Sequence, residues 1–151
     1  MKVDIFSRED MEGILADHLP ANTAVISFRD PETKPTPKKP IDYSSATNRI
    51  FQIALHDIDI DILDKYGLTY ETYFPEAAAL AKFIYEAKAD GLDIICQCEY
   101  GQSRSAGCAA AILEHFYGTG ISIFADYRYY PNQMVFHKVF DALEAVKDSS
   151  G

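Results

Sequence analysis

The sequence predicts an α/β domain built on a central, mainly parallel sheet with helices on both faces. Two observations carry this. Short β-branched and aromatic runs alternate with longer segments at helical spacing, the pattern of repeated strand–helix units. The run Leu92–Cys96 also has several apolar neighbours in a row, as in a strand buried on both faces of a parallel sheet. At 151 residues the chain fits a single domain spanning 1–151, since compact domains usually hold about 100–200 residues.

In chain order, Lys2–Phe6 alternates as a strand does, and Ser7 with Asp10 three positions later is a capping signal for a helix reaching about His18. Thr23–Phe28 and Arg49–Leu55 read as strands. Between them, residues 30–48 hold Pro31, Pro35, Pro37 and Pro40 with Lys34, Lys38 and Lys39. Proline cannot donate ladder bonds, so this stretch is an extended loop, solvated or functional. After an acidic segment, His56–Asp64, the stretch Tyr73–Lys88 aligns Ala77, Leu80, Ala81, Ile84 and the stem of Lys88 on one helical face, with Pro75 in its first turn. Gly91 stops it. Leu92–Cys96 is the central strand. Ser105–Tyr117 forms a helix with Ala106, Ala109, Ala110, Leu113 and Phe116 on one face, stopped by Gly118 and Gly120, and a last helix runs from Pro131 to about Lys147.

Composition removes several classes of function. With 48% hydrophobic and 25% charged residues the chain is neither disordered nor fibrous. Apolar runs such as Leu92–Cys96 and Ala77–Ala81 fall far short of the roughly 20 residues that span a bilayer. Residues 1–17 place Asp4, Arg8, Glu9, Asp10 and Glu12 where a secretory signal needs an apolar stretch, so a cytoplasmic protein is expected. Fourteen Lys and Arg against 23 Asp and Glu leave a net charge of −9, which repels nucleic acid and anionic membranes. Cys96, Cys98 and Cys108, an odd number of thiols, suit a reducing compartment and thiol chemistry better than a disulfide framework.

The chemistry concentrates in Cys98-Glu99-Tyr100-Gly101-Gln102-Ser103-Arg104-Ser105, a loop from the carboxyl end of the central strand to the start of a helix. Open α/β sheets bind ligands there. A helix start presents unpaired N–H groups and partial positive charge, so the backbone from Glu99 to Arg104 can wrap an oxyanion such as phosphate, with Gly101 allowing the turn. The same field favours the thiolate of Cys98 as a nucleophile. Arg104 returns at the far end of the loop, where its planar fork can hold two phosphate oxygens.

Cys-x5-Arg followed by Ser, with Gly third and Ser fifth after the Cys, resembles the signature of the protein tyrosine phosphatase superfamily, and of its small dual-specificity branch in particular. The likeness runs from about Ile50 to the last helix, where Tyr130-Pro131-Asn132 followed by Phe136 is similar to the family's closing Pro-Asn helix; residues 1–48 are only loosely similar. The resemblance implies that Cys98 attacks to form a phosphocysteine, that Arg104 clamps the phosphoryl oxygens, that Ser105 helps the thiolate leave, and that the amides of Glu99, Tyr100, Gly101, Gln102, Ser103 and Arg104 bind the equatorial oxygens, with no metal or other cofactor. It also implies an upstream aspartate as general acid. Asp57 lies nearest the strand end and is favoured, with Asp59 next and Asp61 or Asp64 behind. The spacing to Cys98 implies a small insertion near Lys65–Leu68. The acidic cluster could alternatively be a solvated loop or a divalent-cation site.

One position departs from the family. Gln97 stands where a His usually precedes the Cys; it can exchange hydrogen bonds but carries no charge, so weaker thiolate support is expected. His56 reads as a surface residue. Cys96 and Cys108 read as buried small hydrophobes, with capture of an oxidised Cys98 as the alternative. Tyr127, Arg128, Tyr129 and Tyr130 either pack helix against sheet or border the site.

The expected function is a cysteine-dependent phosphatase acting on phosphotyrosine, with phosphoserine and phosphothreonine as further substrates, in proteins or peptides. Phosphoinositides are disfavoured by Glu99 in the loop. A non-catalytic phosphate-binding module, supported by Gln97, and a rhodanese-like or arsenate-reducing thiol enzyme are the alternatives.

Overall fold

Ser7 sets the point where the first strand gives way to the first helix. Its hydroxyl accepts from the Asp10 N–H at 3.0 Å while its own N–H donates to the Asp10 carboxylate at 3.3 Å, a reciprocal cap that satisfies two end donors at once. In the computed structural model, which describes residues 1–31 and 39–150, β1 is Val3–Phe6 and α1 is Arg8–Asp17. Lys34, Pro35, Pro37 and Lys38 of the expected Pro/Lys loop lie outside the described residues.

β2 (Thr23–Arg29), β3 (Ile50–Ala54) and β4 (Asp93–Gln97) complete a four-stranded sheet of order β1-β4-β2-β3. Every pairing is parallel, with Cys96 of β4 opposite Ile5 of β1 and Ile26 of β2. β4 is therefore an interior strand, in keeping with the consecutive apolar residues Ile94, Ile95 and Cys96. Strand alternation splits the core. Ala24, Ile26, Phe28, Ile94 and Cys96 face α2 (Ala77–Ala89), α3 (Arg104–Tyr117) and α5 (Gln133–Ser150), while Val25 and Ile95 meet Met11, Leu19 and Tyr43 on the opposite face. The expected helix–sheet–helix layering is present.

The first half of α3 is enclosed all round: Ala106, Cys108, Ala109, Ala110, Ala111 and Ile112 are each 0% exposed. Small residues permit this closeness. A Cβ on Gly107 would sit 2.5 Å from the Asn132 carbonyl oxygen, so α3 reaches the chain ahead of α5 only because that side chain is missing.

The second helix starts four residues later than its periodicity suggests. Phe74 takes a left-handed backbone (φ 60) to bury its ring edge-on to Phe28, with centroids 6.1 Å apart, and it precedes Pro75, which disfavours a helical conformation at that position. The turn thus precedes Ala77. Two further elements escaped the sequence reading: a 3-10 turn at Ile60–Tyr66, closed by Gly67 at φ 70, and the one-turn helix α4 at Ile121–Phe124. Neither is long enough for hydrophobic periodicity to register. Because the strands are parallel, Phe6, Arg29, Ala54 and Gln97 all end at one edge of the sheet, and the loops that follow them meet there.

Candidate active site

The loop from β4 to α3 is seated on the β1–α1 turn. The Cys98 N–H donates to the Phe6 carbonyl at 3.2 Å, and the Arg8 N–H donates to the Glu99 carbonyl at 3.0 Å. Gly101 has φ 67, and a Cβ there would lie 2.6 Å from the Ser7 nitrogen and 2.8 Å from the Phe6 carbonyl carbon. Both the turn and the seat therefore demand glycine. Among the described residues, the N–H groups of Tyr100, Gly101, Gln102, Ser103 and Arg104 meet no hydrogen-bond acceptor. Such a run of free donors leading into a helix is an anion cradle.

At the head of the loop the Cys98 thiol, 2% exposed, lies 3.0 Å from the hydroxyl of Ser105, which is fully buried on the first turn of α3. Arg104 is 3% exposed. Its Nη1 donates to the Leu55 carbonyl at 2.8 Å and lies 2.9 Å from an Asp30 carboxylate oxygen, which holds one side of the guanidinium. Its Nε is buried and has no hydrogen-bond partner among the described residues. A buried cationic donor left in that condition is costly unless an anion completes it.

Behind Cys98, the Gln97 side chain is 3% exposed and hydrogen-bonded at both ends of its carboxamide. Its Nε2 donates to the Cys98 carbonyl at 2.9 Å, while its Oε1 accepts from the Ser27 hydroxyl and, at 3.1 Å, from the Tyr43 hydroxyl. The carboxamide that replaces the expected histidine thus braces the loop through neutral hydrogen bonds.

Of the four aspartates weighed from the sequence, Asp57 is the one hydrogen-bonded to the loop. One carboxylate oxygen accepts from the Ser103 hydroxyl at 2.6 Å and from Asn132 Nδ2 at 2.9 Å. Asn132, 4% exposed, also donates through Nδ2 to the Ile58 carbonyl at 3.1 Å and through its N–H to the Ser103 carbonyl at 3.0 Å. It ties the loop after β3, the loop after β4 and the start of α5 together. Tyr73 donates to the His56 carbonyl at 2.6 Å; burial, with the charge of Asp57 nearby, pushes its phenol well above the ordinary value and keeps it protonated.

Asp59 joins Asp57, Ser103, Phe124, Tyr129 and Tyr130 around a cleft of about 470 Å³, whereas Asp61 and Asp64 sit in the 3-10 turn and do not line it. The His56 ring packs on Tyr66, with centroids 4.8 Å apart, and the residue is part-exposed. The Tyr127–Tyr130 segment borders the site: the Tyr130 N–H donates to the Gln102 carbonyl at 2.8 Å, and Tyr129 and Tyr130 line the cleft, while Tyr127 is 90% exposed. Cys96 and Cys108 are free and buried; a hydrogen bond to Cys108 together with burial holds the Cys96 thiol far above its ordinary pKa. Among the described residues no three His, Cys, Asp or Glu side chains converge as a metal centre.

Asp30, Ser27 and Tyr43 were not read from the sequence. Asp30 directly follows β2, at the carboxyl edge where the loops meet, and that position was the available signal. Ile41 and Tyr43 are apolar residues inside the stretch expected to be an extended loop, solvated or functional; Tyr43 is 3% exposed.

No family model and no curated protein matches the sequence. Solved structures do. The chain is similar to human tyrosine phosphatase-like serine/threonine/tyrosine-interacting protein (TM-score 0.56, 15% identity, covering 93% of this chain and 86% of that one). It is also similar to the PTP-2 phosphatase of Cydia pomonella (TM-score 0.57, 10% identity, 93% and 85%) and to PTPMT1 in complex with PI(5)P (TM-score 0.56, 14% identity, 99% and 95%). The fold is that of the tyrosine and dual-specificity phosphatases.

Proposed function

We propose that the protein is a cysteine-dependent phosphatase that hydrolyses phosphate monoesters, phosphotyrosine first among them, through a phosphocysteine. The observation that carries this is the pairing, across one loop, of the Cys98 thiol at 3.0 Å from the Ser105 hydroxyl with a buried Arg104 whose Nε lacks a partner among the described residues. Phosphoryl transfer needs positioning and charge stabilisation above all. The loop supplies both, with free N–H groups around the phosphate and a guanidinium held from behind by Leu55 and Asp30.

In the first step the Cys98 thiolate forms a bond to phosphorus as the bond to the ester oxygen breaks, and protonated Asp57 gives its proton to that oxygen. In the second, Asp57 takes a proton from water as the water oxygen attacks phosphorus and the S–P bond breaks. Inorganic phosphate leaves, and the Ser105 hydroxyl donates to the departing thiolate. A thiol 2% exposed favours a phosphate carried on a long, narrow side chain, which supports the tyrosine ester ahead of the shorter serine and threonine esters.

The test is nitrophenol release from p-nitrophenyl phosphate between pH 5 and 8 with a chelator present, comparing wild type with Cys98→Ser and Arg104→Lys. Expected are turnover that survives chelation, vanishes in Cys98→Ser and falls about 10²–10³-fold in Arg104→Lys, because lysine cannot reproduce the two-point grip. Turnover retained by Cys98→Ser overturns the mechanism. Absence of turnover with phosphate still bound makes the protein a binding module.

A further inference from the structure

The cleft beside the nucleophile loop contains a carboxylate that the hydrolytic steps leave unused. We propose that Asp59 is a specificity-determining residue that selects substrates with a basic side chain next to the phosphorylated residue; this rests on the phosphatase reading and names its substrate class.

The two carboxylates of the cleft are in different states. That of Asp57 is occupied by Ser103 and Asn132, whereas that of Asp59 makes no cap hydrogen bond and no ion pair among the described residues. Exposure alternates along 57–59, with Ile58 buried and both aspartates outward, so both project to the side that borders the cleft. Two positions of extended chain span at most about 7 Å. A group reaching Asp59 thus lies one or two residues from an ester whose leaving oxygen meets Asp57.

The remaining lining fits a cation with an apolar stem. Phe124, Tyr129 and the exposed Tyr130 line the cleft, with Arg128 over the Tyr129 ring at 5.1 Å from its centroid and Phe124 packed on Phe136, and among the described residues no Lys or Arg lines it. Tyr130 is 72% exposed yet fixed to the phosphate loop through its N–H on the Gln102 carbonyl, so the aromatic wall is continuous with the phosphate site. Aromatic faces beside a carboxylate are the setting in which guanidinium and ammonium groups are held, the rings covering the methylene stem. The net charge of −9 adds a long-range field of the same sign. An acidic residue in that position of the substrate meets two carboxylates, while Arg128, over the Tyr129 ring, is already paired with Asp126 at 2.7 Å.

The experiment uses phosphotyrosyl peptides carrying Arg, Ala or Glu in turn at each position from two before to two after the phosphotyrosine. Turnover is measured for wild type, Asp59→Asn and Asp59→Lys, and affinity is measured by fluorescence anisotropy for Cys98→Ser with and without the Asp59 changes. The expected result is an Arg-over-Glu preference at one position. Asp59→Asn lowers that preference about fivefold, the scale of an exposed ion pair, and Asp59→Lys reverses it. A general acid at position 59 would instead lower turnover of all the peptides alike and leave the ratio untouched.

An Arg-to-Glu ratio equal in the three proteins, or a preference unmoved by either Asp59 change, overturns the proposal. Loss of the phosphatase reading shows separately, as wild type failing to hydrolyse p-nitrophenyl phosphate. The affinity ratios on Cys98→Ser then still decide the role of Asp59, and an absence of binding to every peptide overturns it.

Discussion

Asp57 accepts a 2.6 Å hydrogen bond from the hydroxyl of Ser103, 46 residues further along the chain. This contact joins the loop after β3 to the loop after β4 and places a carboxyl group beside the run of free N–H donors. Ser103 occupies the N-cap position of α3, yet its hydroxyl makes no capping bond. A residue type suited to helix capping is used here to hold the Asp57 carboxylate.

Asp57→Asn keeps an oxygen acceptor for Ser103 and Asn132 but has no proton to give. Turnover of phenyl phosphate, a poor leaving group, is expected to fall by about 10² or more, and turnover of activated p-nitrophenyl phosphate by markedly less. The check is the ratio of the two kcat values. Equal losses on both substrates would move the acid elsewhere, to Asp59 first.

Gly101→Ala forces a Cβ to 2.6 Å from the Ser7 nitrogen while φ stays at 67. The obstruction is backbone, which cannot swing aside as a side-chain tip can. The expected cost is about 2–4 kcal/mol in urea unfolding, with loss of turnover as the loop lifts from the β1–α1 turn. A variant as stable as wild type would mean that the loop is not seated as described.

Gln97→Leu takes a partner from three buried groups, the Ser27 hydroxyl, the Tyr43 hydroxyl and the Cys98 carbonyl, although the two hydroxyls keep each other at 3.3 Å. Unsatisfied buried polar groups cost about 1–3 kcal/mol each, so a loss of roughly 2–4 kcal/mol is expected. Tyr43→Phe deletes one donor and should cost about 1 kcal/mol. Denaturant unfolding of the two variants gives the comparison, and the reverse ranking would contradict the network.

Cys96 sets a pH limit on stability. Its folded thiol is held protonated well above the unfolded value of about 8.5, so above that pH the unfolded chain releases a proton that the folded chain keeps. Stability is therefore intact below about pH 8.5 and falls above it, by up to about 1.4 kcal/mol per pH unit. Urea unfolding between pH 7.5 and 9.5 should show the decline in wild type and a shallower one in Cys96→Ala. Parallel curves would exclude Cys96 as its source.

What the sequence determined alone is what depends on spacing over a few residues. The Ser7–Asp10 cap, the buried run of β4, the glycine turn and the Cys98–Ser105 loop are all local patterns, and each is present in the structure where the spacing put it. Periodicity read the second helix too early because a buried Phe74 outweighs local helical preference, and that burial depends on Phe28 in a distant strand. Tertiary structure alone gave Asp57, of the four aspartates, its hydrogen bonds from Ser103 and Asn132, 46 and 75 residues away. It likewise brought Asp30 to Arg104, and Ser27 and Tyr43 to Gln97. The physical reason is common to all of these. A carboxylate or hydroxyl has the same local signature whether it meets water or a distant side chain, and only the convergence of parallel strand ends at one edge of the sheet decides which it meets.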